Sequence, residues 1–356
     1  MSIAQEPELH HPGSKPRLSC AEVRRAEVAA LARMAGAGEL EVSRALIGGP
    51  GTDAGLRARV VGLAEQHGYA VAIGARKFEA RQNRTITVVI PYEGQARQHL
   101  SDPFFLAILG SIADTLTDRG LDMLISRIDA ENLHEAAQSY DTGRAVGVIL
   151  IGQWRRQDQL NLLAARGVPL VVWGAWLPGQ GYATIGTDNV EGGFLATEHL
   201  VQGGRRRIAF FGDIELPEVT RRHEGYRAAL ERYGLPFDEQ LVIPASFKEE
   251  GGVAAMAELT RRGVPYDALF ACSDLLAMAA IGVMQAAGMR VPQDVAVVGY
   301  DDIDRARFFQ PPLTTVRQPM AAAGAALVDT LLAMMDGQSV EPYLIPTQLV
   351  VRESGG

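Results

Sequence analysis

Residues 295–319 read Val-Ala-Val-Val-Gly-Tyr-Asp-Asp-Ile-Asp-Arg-Ala-Arg-Phe-Phe-Gln-Pro-Pro-Leu-Thr-Thr-Val-Arg-Gln-Pro. Val295–Val298 is the short apolar run that a parallel strand covered on both faces requires. Gly299 lets the backbone turn at the strand's carboxyl end, the edge where open α/β sheets bind ligands. Asp301, Asp302 and Asp304 follow at once. Three acids there can form a metal site, shape a turn, or accept hydrogen bonds from a polyhydroxy ligand. Their spacing differs from a calcium loop, which adds a distant bidentate Glu. Asp302 and Asp304 read as helix caps. Pro311 and Pro312 end any helix, and Leu313–Val316 reads as a further short strand.

Working outward, the texture of 84–319 is strand alternating with helix. Strands are predicted at Thr85–Ile90, Leu121–Ile125, Ala145–Ile151 and Pro169–Trp173. Helices are predicted over 104–119, 131–140 and 158–166. A second run starts near Ile185 and continues through helices 191–202, 222–233, 251–262 and 275–287. Its strands lie at Ile208–Phe211, Leu241–Ile243 and Ala268–Ala271. Such alternation implies right-handed βαβ units and parallel sheets.

The 356 residues suit two or three domains. A hydrophobic share of 47% with 21% charged residues gives an ample core and excludes a disordered chain. Net charge is −8, unevenly split: residues 1–83 carry 11 Lys/Arg against 9 Asp/Glu, and the remainder 23 against 33. A mildly basic front on an acidic body fits a small DNA-contacting head. Cys20 and Cys272 make no disulfide framework, which suits a reducing cytoplasm. The polar start lacks the apolar core of a signal peptide, and no run reaches a membrane span. The seven histidines show no metal spacing, no Gly-x-Ser-x-Gly elbow occurs, and the Gly48–Gly51 run lacks the Lys-Ser/Thr of a phosphate loop. No enzyme, metal or cofactor is therefore expected.

Residues 24–47 read as two short helices around Gly36 and Gly38, a helix-turn-helix pattern. A third helix covers 56–69, capped by Thr52 or Asp53.

The order strand, Gly-Tyr-Asp-Asp, loop, Pro-Pro-Leu-Thr-Thr-Val resembles the effector domain of the lactose/galactose repressor (LacI/GalR) family of bacterial transcription regulators. Val28-Ala-Ala-Leu-Ala-Arg-Met-Ala-Gly, Val42-Ser-Arg-Ala-Leu and Leu56–Tyr69 are similar to that family's DNA-binding head. The resemblance implies an α/β fold: a helix-turn-helix head plus a two-lobed, periplasmic-binding-protein-like effector domain with parallel sheets. The implied division is an extension at 1–23, a head at 24–70, a hinge at 71–83 and an effector-binding and dimerisation domain at 84–356. Lobe 1 would take about 84–185 and 320–338, and lobe 2 about 186–319 and 339–356. Helix 320–336 would cross back to lobe 1, and a closing strand 343–351 would return to lobe 2.

The resemblance implies a cytoplasmic repressor that binds operator DNA as a homodimer and answers to a small effector, a sugar. The helices beginning near Phe104 and Leu275 are the candidate dimer surface. DNA contacts fall to Glu39, Leu40, Ser43 and Arg44 in the recognition helix, and to Arg76, Lys77 and Phe78 in the hinge. Here the sequence departs from the pattern. Carboxylates stand where small polar residues are usual, and Ala70–Phe78 replaces the usual Pro-Asn pair and hinge helix. Phe78 takes the place of the minor-groove wedge. A sugar-binding protein with a degenerate head is the alternative. Strand ends and family positions give the effector candidates: Tyr92, Phe104, Trp173, Trp176, Arg222, Phe247, Ser273 and Asp301. Ser273 replaces the family's usual Asn. Asp188 and Asn189 read equally well as ligands of local backbone, and Phe105 as core.

Overall fold

The computed structural model describes residues 29–39, 41, 42, 45, 53–66, 83–93 and 99–356. The chain divides into two compact units, Met1–Gln82 and Asn83–Gly356. The expected extension, residues 71–82 of the hinge, and Leu40, Ser43, Arg44, Arg76, Lys77 and Phe78 lie outside the described residues.

In the first unit, residues 29–35 are helical, and Gly36 turns the chain at φ +63. Helix resumes at 39, with Gly38 as its cap: the Glu41 carboxylate reaches back to accept from the Gly38 amide at 3.0 Å. Helix α1, Ala54–Gln66, opens on Asp53, whose Oδ2 accepts from Leu56 N at 2.8 Å. The predicted Asp53 cap is therefore formed. Leu31, Ala32, Ala35, Val42, Ala45 and Val60 bury one another in a small core.

The second unit, among its described residues, holds two six-stranded sheets. Its elements in chain order are β1 (Thr85–Tyr92), α2 (Pro103–Asp118), β2 (Asp122–Asp129), a 3-10 segment (Ala130–Ala137), α3 (Gln138–Asp141) and β3 (Gly147–Ile151). Then come α4 (Gln157–Ala165), β4 (Leu170–Trp173), β5 (Ala183–Thr187), α5 (Asn189–Gln202), β6 (Ile208–Phe211), α6 (Pro217–Arg232) and β7 (Val242–Ile243). The last are α7 (Glu249–Arg262), β8 (Ala268–Ala271), α8 (Asp274–Ala286), β9 (Ala296–Asp301), α9 (Asp304–Phe308), β10 (Thr314–Arg317), α10 (Met320–Met335), β11 (Tyr343–Ile345) and β12 (Gln348–Val350).

Lobe 1 carries the order β11-β5-β4-β3-β1-β2 and lobe 2 the order β12-β10-β9-β8-β6-β7. Every pairing is parallel except β10 with β12. β1 has six consecutive buried residues, as expected of a strand covered on both faces. In α2, Asp102 caps the helix, Pro103 sets its first turn, and Phe105, Ile108, Leu109, Ile112 and Leu116 form the buried stripe. Each such side chain stabilises the fold by roughly 1.5–3 kcal/mol relative to exposure.

Two boundaries differ from the sequence reading. The strand near Ile185 pairs with β4 and closes lobe 1 rather than opening lobe 2. The closing strand 343–351 is split. β11 adds to β5 in lobe 1 and β12 to β10 in lobe 2, because Pro346 between them cannot continue a ladder. The chain therefore crosses between lobes three times: at Thr187–Asn189, at Arg317–Met320 and at Ile345–Gln348.

Candidate functional site

A cleft opens between the carboxyl ends of the two sheets, beside the crossings. It contains about 930 Å³ of empty space, its open mouth included, within the usual range for small-ligand sites. Lobe 2 supplies its charged wall. Arg222 lies on α6, one turn after Glu218, and is almost fully buried. Its Nε donates to Asn189 Oδ1 at 2.8 Å, its Nη1 to the Cys272 carbonyl at 2.5 Å, and its guanidinium stacks 3.7 Å over the Tyr300 ring. The fork is thus fixed before any ligand arrives. α5 and α6 cross closely enough to allow this because Gly193 and Gly225 face the opposing backbone. A Cβ at Gly193 would stand 2.0 Å from the Arg222 carbonyl.

Asp301 ends β9 with φ 114, and Asp302 follows at φ 57, two successive left-handed conformations unusual for side-chain-bearing residues. The surroundings hold them there. Gln318 Nε2 donates to Asp301 Oδ1 at 2.6 Å, while Arg317 and Arg352 grip Asp302, each at 2.6 Å. Asp302 is therefore an ion-pair acceptor rather than the expected cap, and α9 starts after Ile303 with no side-chain cap. Burial pushes the Asp301 carboxyl up to about 7. The Arg222 charge and the Gln318 hydrogen bond oppose that, and Asp102 adds to it. Burial also raises Asp274, fully enclosed beneath, and the Asp301 charge raises it further. Thr315 Oγ1 donates to Asp274 at 2.5 Å and the Ile303 amide at 2.9 Å.

Of the eight sequence candidates, Phe104, Trp173, Arg222, Phe247, Ser273 and Asp301 line the cleft. Tyr92 and Trp176 are not among its lining residues. Tyr92 sits under the Arg127 guanidinium, and Trp176 is half-exposed beyond β4, its carbonyl near Arg221. Tyr92 is the last residue of β1, and Trp176 lies three residues beyond the end of β4. Ser273 caps α8 by accepting from Leu276 N. Asn189 serves both readings: its amide donates to Thr187 O and its Oδ1 orients Arg222. Phe105 is core and also reaches the cleft.

The sequence reading missed Trp154, Glu218, Thr187 and Gln318, all of which line the cleft. Glu218 was legible as the residue one helical turn before Arg222 on the same face. Burial pushes its carboxyl up, against its own backbone amide, the Arg222 charge and the Gln153 backbone amide. Among the described residues, no cluster of His, Cys, Asp or Glu could hold a metal, and no helix is long and apolar enough to cross a membrane.

Two parallel-sheet lobes with a cleft at three crossings define a ligand-receptor body of the periplasmic-binding-protein kind. A family described as "Periplasmic binding protein-like domain" matches residues 197–355. The chain is 35% identical over 338 residues to the HTH-type transcriptional regulator CelR of Thermobifida fusca, covering 93% of this chain and 99% of that protein. It is 31% identical over 319 residues to the repressor CytR of Escherichia coli, covering 88% and 91%. A solved CelR–cellobiose complex superposes with a TM-score of 0.69 at 33% identity, over 92% of this chain and 99% of that one. The chain belongs to the lactose/galactose repressor family of transcription regulators.

Proposed function

We propose that the chain is a cytoplasmic, operator-binding repressor whose cleft takes a neutral sugar, a disaccharide of the cellobiose class. The carrying observation is Asp301 beside Arg222 in a cleft walled by Phe104, Trp154, Trp173 and Phe247. Asp301 accepts from hydroxyls and Arg222 donates to hydroxyl or ring oxygens. Above about pH 7 Asp301 is a carboxylate and would repel an anion drawn by Arg222, so a neutral polyol fits both. Pyranose rings have an apolar face that aromatic side chains cover. The solved relative holds cellobiose, a ligand of two such rings.

DNA contacts are assigned to Glu39, Leu40, Ser43 and Arg44 and to Arg76, Lys77 and Phe78. Glu41 does not count against this assignment, because its carboxylate is engaged in capping Gly38. A homodimer would match a two-fold operator with half-sites about one helical turn apart. Exposed Leu106 on α2 supports that helix as part of the dimer face. The apolar residues of α8 are used in the lobe's own core, so α8 supports it less.

The test combines calorimetry with a mobility shift on the protein's own promoter fragment. Cellobiose is expected to bind and to release the DNA. A protein that binds neither cellobiose, glucose nor ribose loses the sugar assignment. One that shifts no fragment, with or without sugar, loses the operator assignment.

A further inference from the structure

The loop after β3, Gly152–Arg155, belongs to lobe 1 but sends Trp154 and Arg155 onto lobe 2. Trp154 lines the cleft, and its ring packs against the hydrophobic cluster of lobe 2 that contains Leu216 and Val219. Arg155, next to it, reaches across the mouth. Its Nη2 meets Asp213 at 2.5 Å and Glu215 at 3.1 Å, both in the β6–α6 loop, with Glu93 of its own lobe at 3.7 Å from Nη1. The backbone is bent to allow this: Gly152 has φ 94 and Trp154, a bulky residue, φ 49. Such a conformation persists only where the surroundings over-determine it. Gln153 does so from behind. It is fully buried, donates from Nε2 to Tyr182 Oη at 2.9 Å and accepts from the Ala175 amide at 2.8 Å.

We propose that Trp154 is a sugar-stacking wall of the cleft and that Arg155 is its positioning residue. The inference rests on the sugar reading above. Ligand seated in the cleft meets an indole anchored in lobe 1 and docked on lobe 2, so binding and lobe closure become one event. Ligand can gain the Trp154 face only when the lobes are together, and it therefore selects that state. Three carboxylates around one guanidinium, at an exposed mouth, make the clasp sensitive to salt. Asp301 and Arg222 determine recognition from one lobe, whereas Trp154 makes recognition depend on both.

The experiment is calorimetry of the full chain with cellobiose as probe, at low and high salt, on wild type, Trp154→Ala, Trp154→Phe and Arg155→Ala. Trp154→Ala is expected to weaken cellobiose binding about tenfold or more, as for a central aromatic anchor. Trp154→Phe keeps an aromatic face and should recover most of that loss. Arg155→Ala should cost about two- to fivefold at low salt, with the difference from wild type vanishing at high salt. A purely structural Arg155 would not produce that convergence. If Trp154→Ala does not fold, Trp154→Phe and Arg155→Ala still decide. Arg155→Ala matching wild type at both salts, or Trp154→Ala binding as tightly as wild type, overturns the proposal and leaves the sugar reading standing. Wild type that binds no sugar overturns both.

Discussion

The side-chain amide of Gln318 joins Asp301 to Thr187: its Nε2 donates to Asp301 Oδ1 at 2.6 Å and its Oε1 accepts from Thr187 Oγ1 at 2.9 Å. Thr187 and Gln318 sit on two of the three chain crossings, and both are buried. A carboxylate facing the cleft is thereby tied to the segments about which the lobes would move. Gln318→Leu removes both bonds while keeping the volume. Above about pH 7, where Asp301 is ionised, losing a hydrogen bond to a charged group costs about 1.5–3 kcal/mol, or roughly tenfold or more in affinity. The expected result is that loss in calorimetry with cellobiose. Unchanged affinity would show that Asp301 needs no help from the crossing.

Arg222 is a poor target for simple truncation. Its Nε and Nη1 already serve Asn189 and Cys272, so Arg222→Ala leaves the buried Cys272 carbonyl without its donor, at about 1–3 kcal/mol, and Asn189 Oδ1 with only the long contact from Tyr300 Oη at 3.5 Å. Thermal unfolding of Arg222→Ala should therefore shift down by several degrees as effector binding disappears. Arg222→Lys keeps the charge, loses the fork, and should bind sugar weakly in a better-preserved fold. Equal melting temperatures for wild type and Arg222→Ala would contradict the structural half of this account.

The Asp301 carboxyl gives a pH signature. Its folded value, about 7, lies above the ordinary value near 4. Between those values the folded state holds a proton that the unfolded state has lost. Stability therefore falls as pH rises through that window, by up to ~1.4 kcal/mol per pH unit from this group alone. Asp274 and Glu218 are shifted in the same direction and add to the slope. Asp301→Asn removes one contributor, so its stability curve from pH 4 to 7 should be flatter than wild type. Identical slopes in denaturant titrations at several pH values would show that Asp301 is ionised throughout.

The sequence made Asp301 and Arg222 legible because each follows a local signal: a strand, Gly and aromatic before one, and Gly-Tyr three residues after the other. The βα alternation likewise placed the sheets. What it hid depends on partners distant in sequence. Gln318 matters only because β10 brings it beside β9, and Trp154 only because a left-handed bend carries it to the other lobe. The closing strand 343–351 returns to lobe 2 only in its second half, because a run of apolar residues does not show where the chain leaves one sheet for the other; Pro346 marks that break once both edges are in place. Trp176 shows the converse. An aromatic after a strand end attracts notice, but one further turn of chain puts it half-exposed.

The α5–α6 crossing yields a matched pair of glycine variants. A Cβ at Gly225 would stand 2.0 Å from the Val190 carbonyl and 2.6 Å from the Phe194 amide, and both neighbours are helical backbone. Neither can yield without moving α5 away from α6, the helix that carries Glu218 and Arg222. Overpacking of this kind costs about 1–3 kcal/mol or more. For a unit of this size, each kcal/mol moves the melting temperature by very roughly 2–4 °C. Gly282, inside α8, is the control, because a Cβ there meets nothing within 4 Å. Gly282→Ala should be neutral or stabilise by about 0.5–1 kcal/mol through helix propensity. Gly225→Ala should melt several degrees lower and lose cellobiose affinity, since Arg222 would no longer be held over Tyr300. A Gly225→Ala protein with wild-type melting temperature and affinity would mean that the two helices do not approach as closely as 2.0 Å implies.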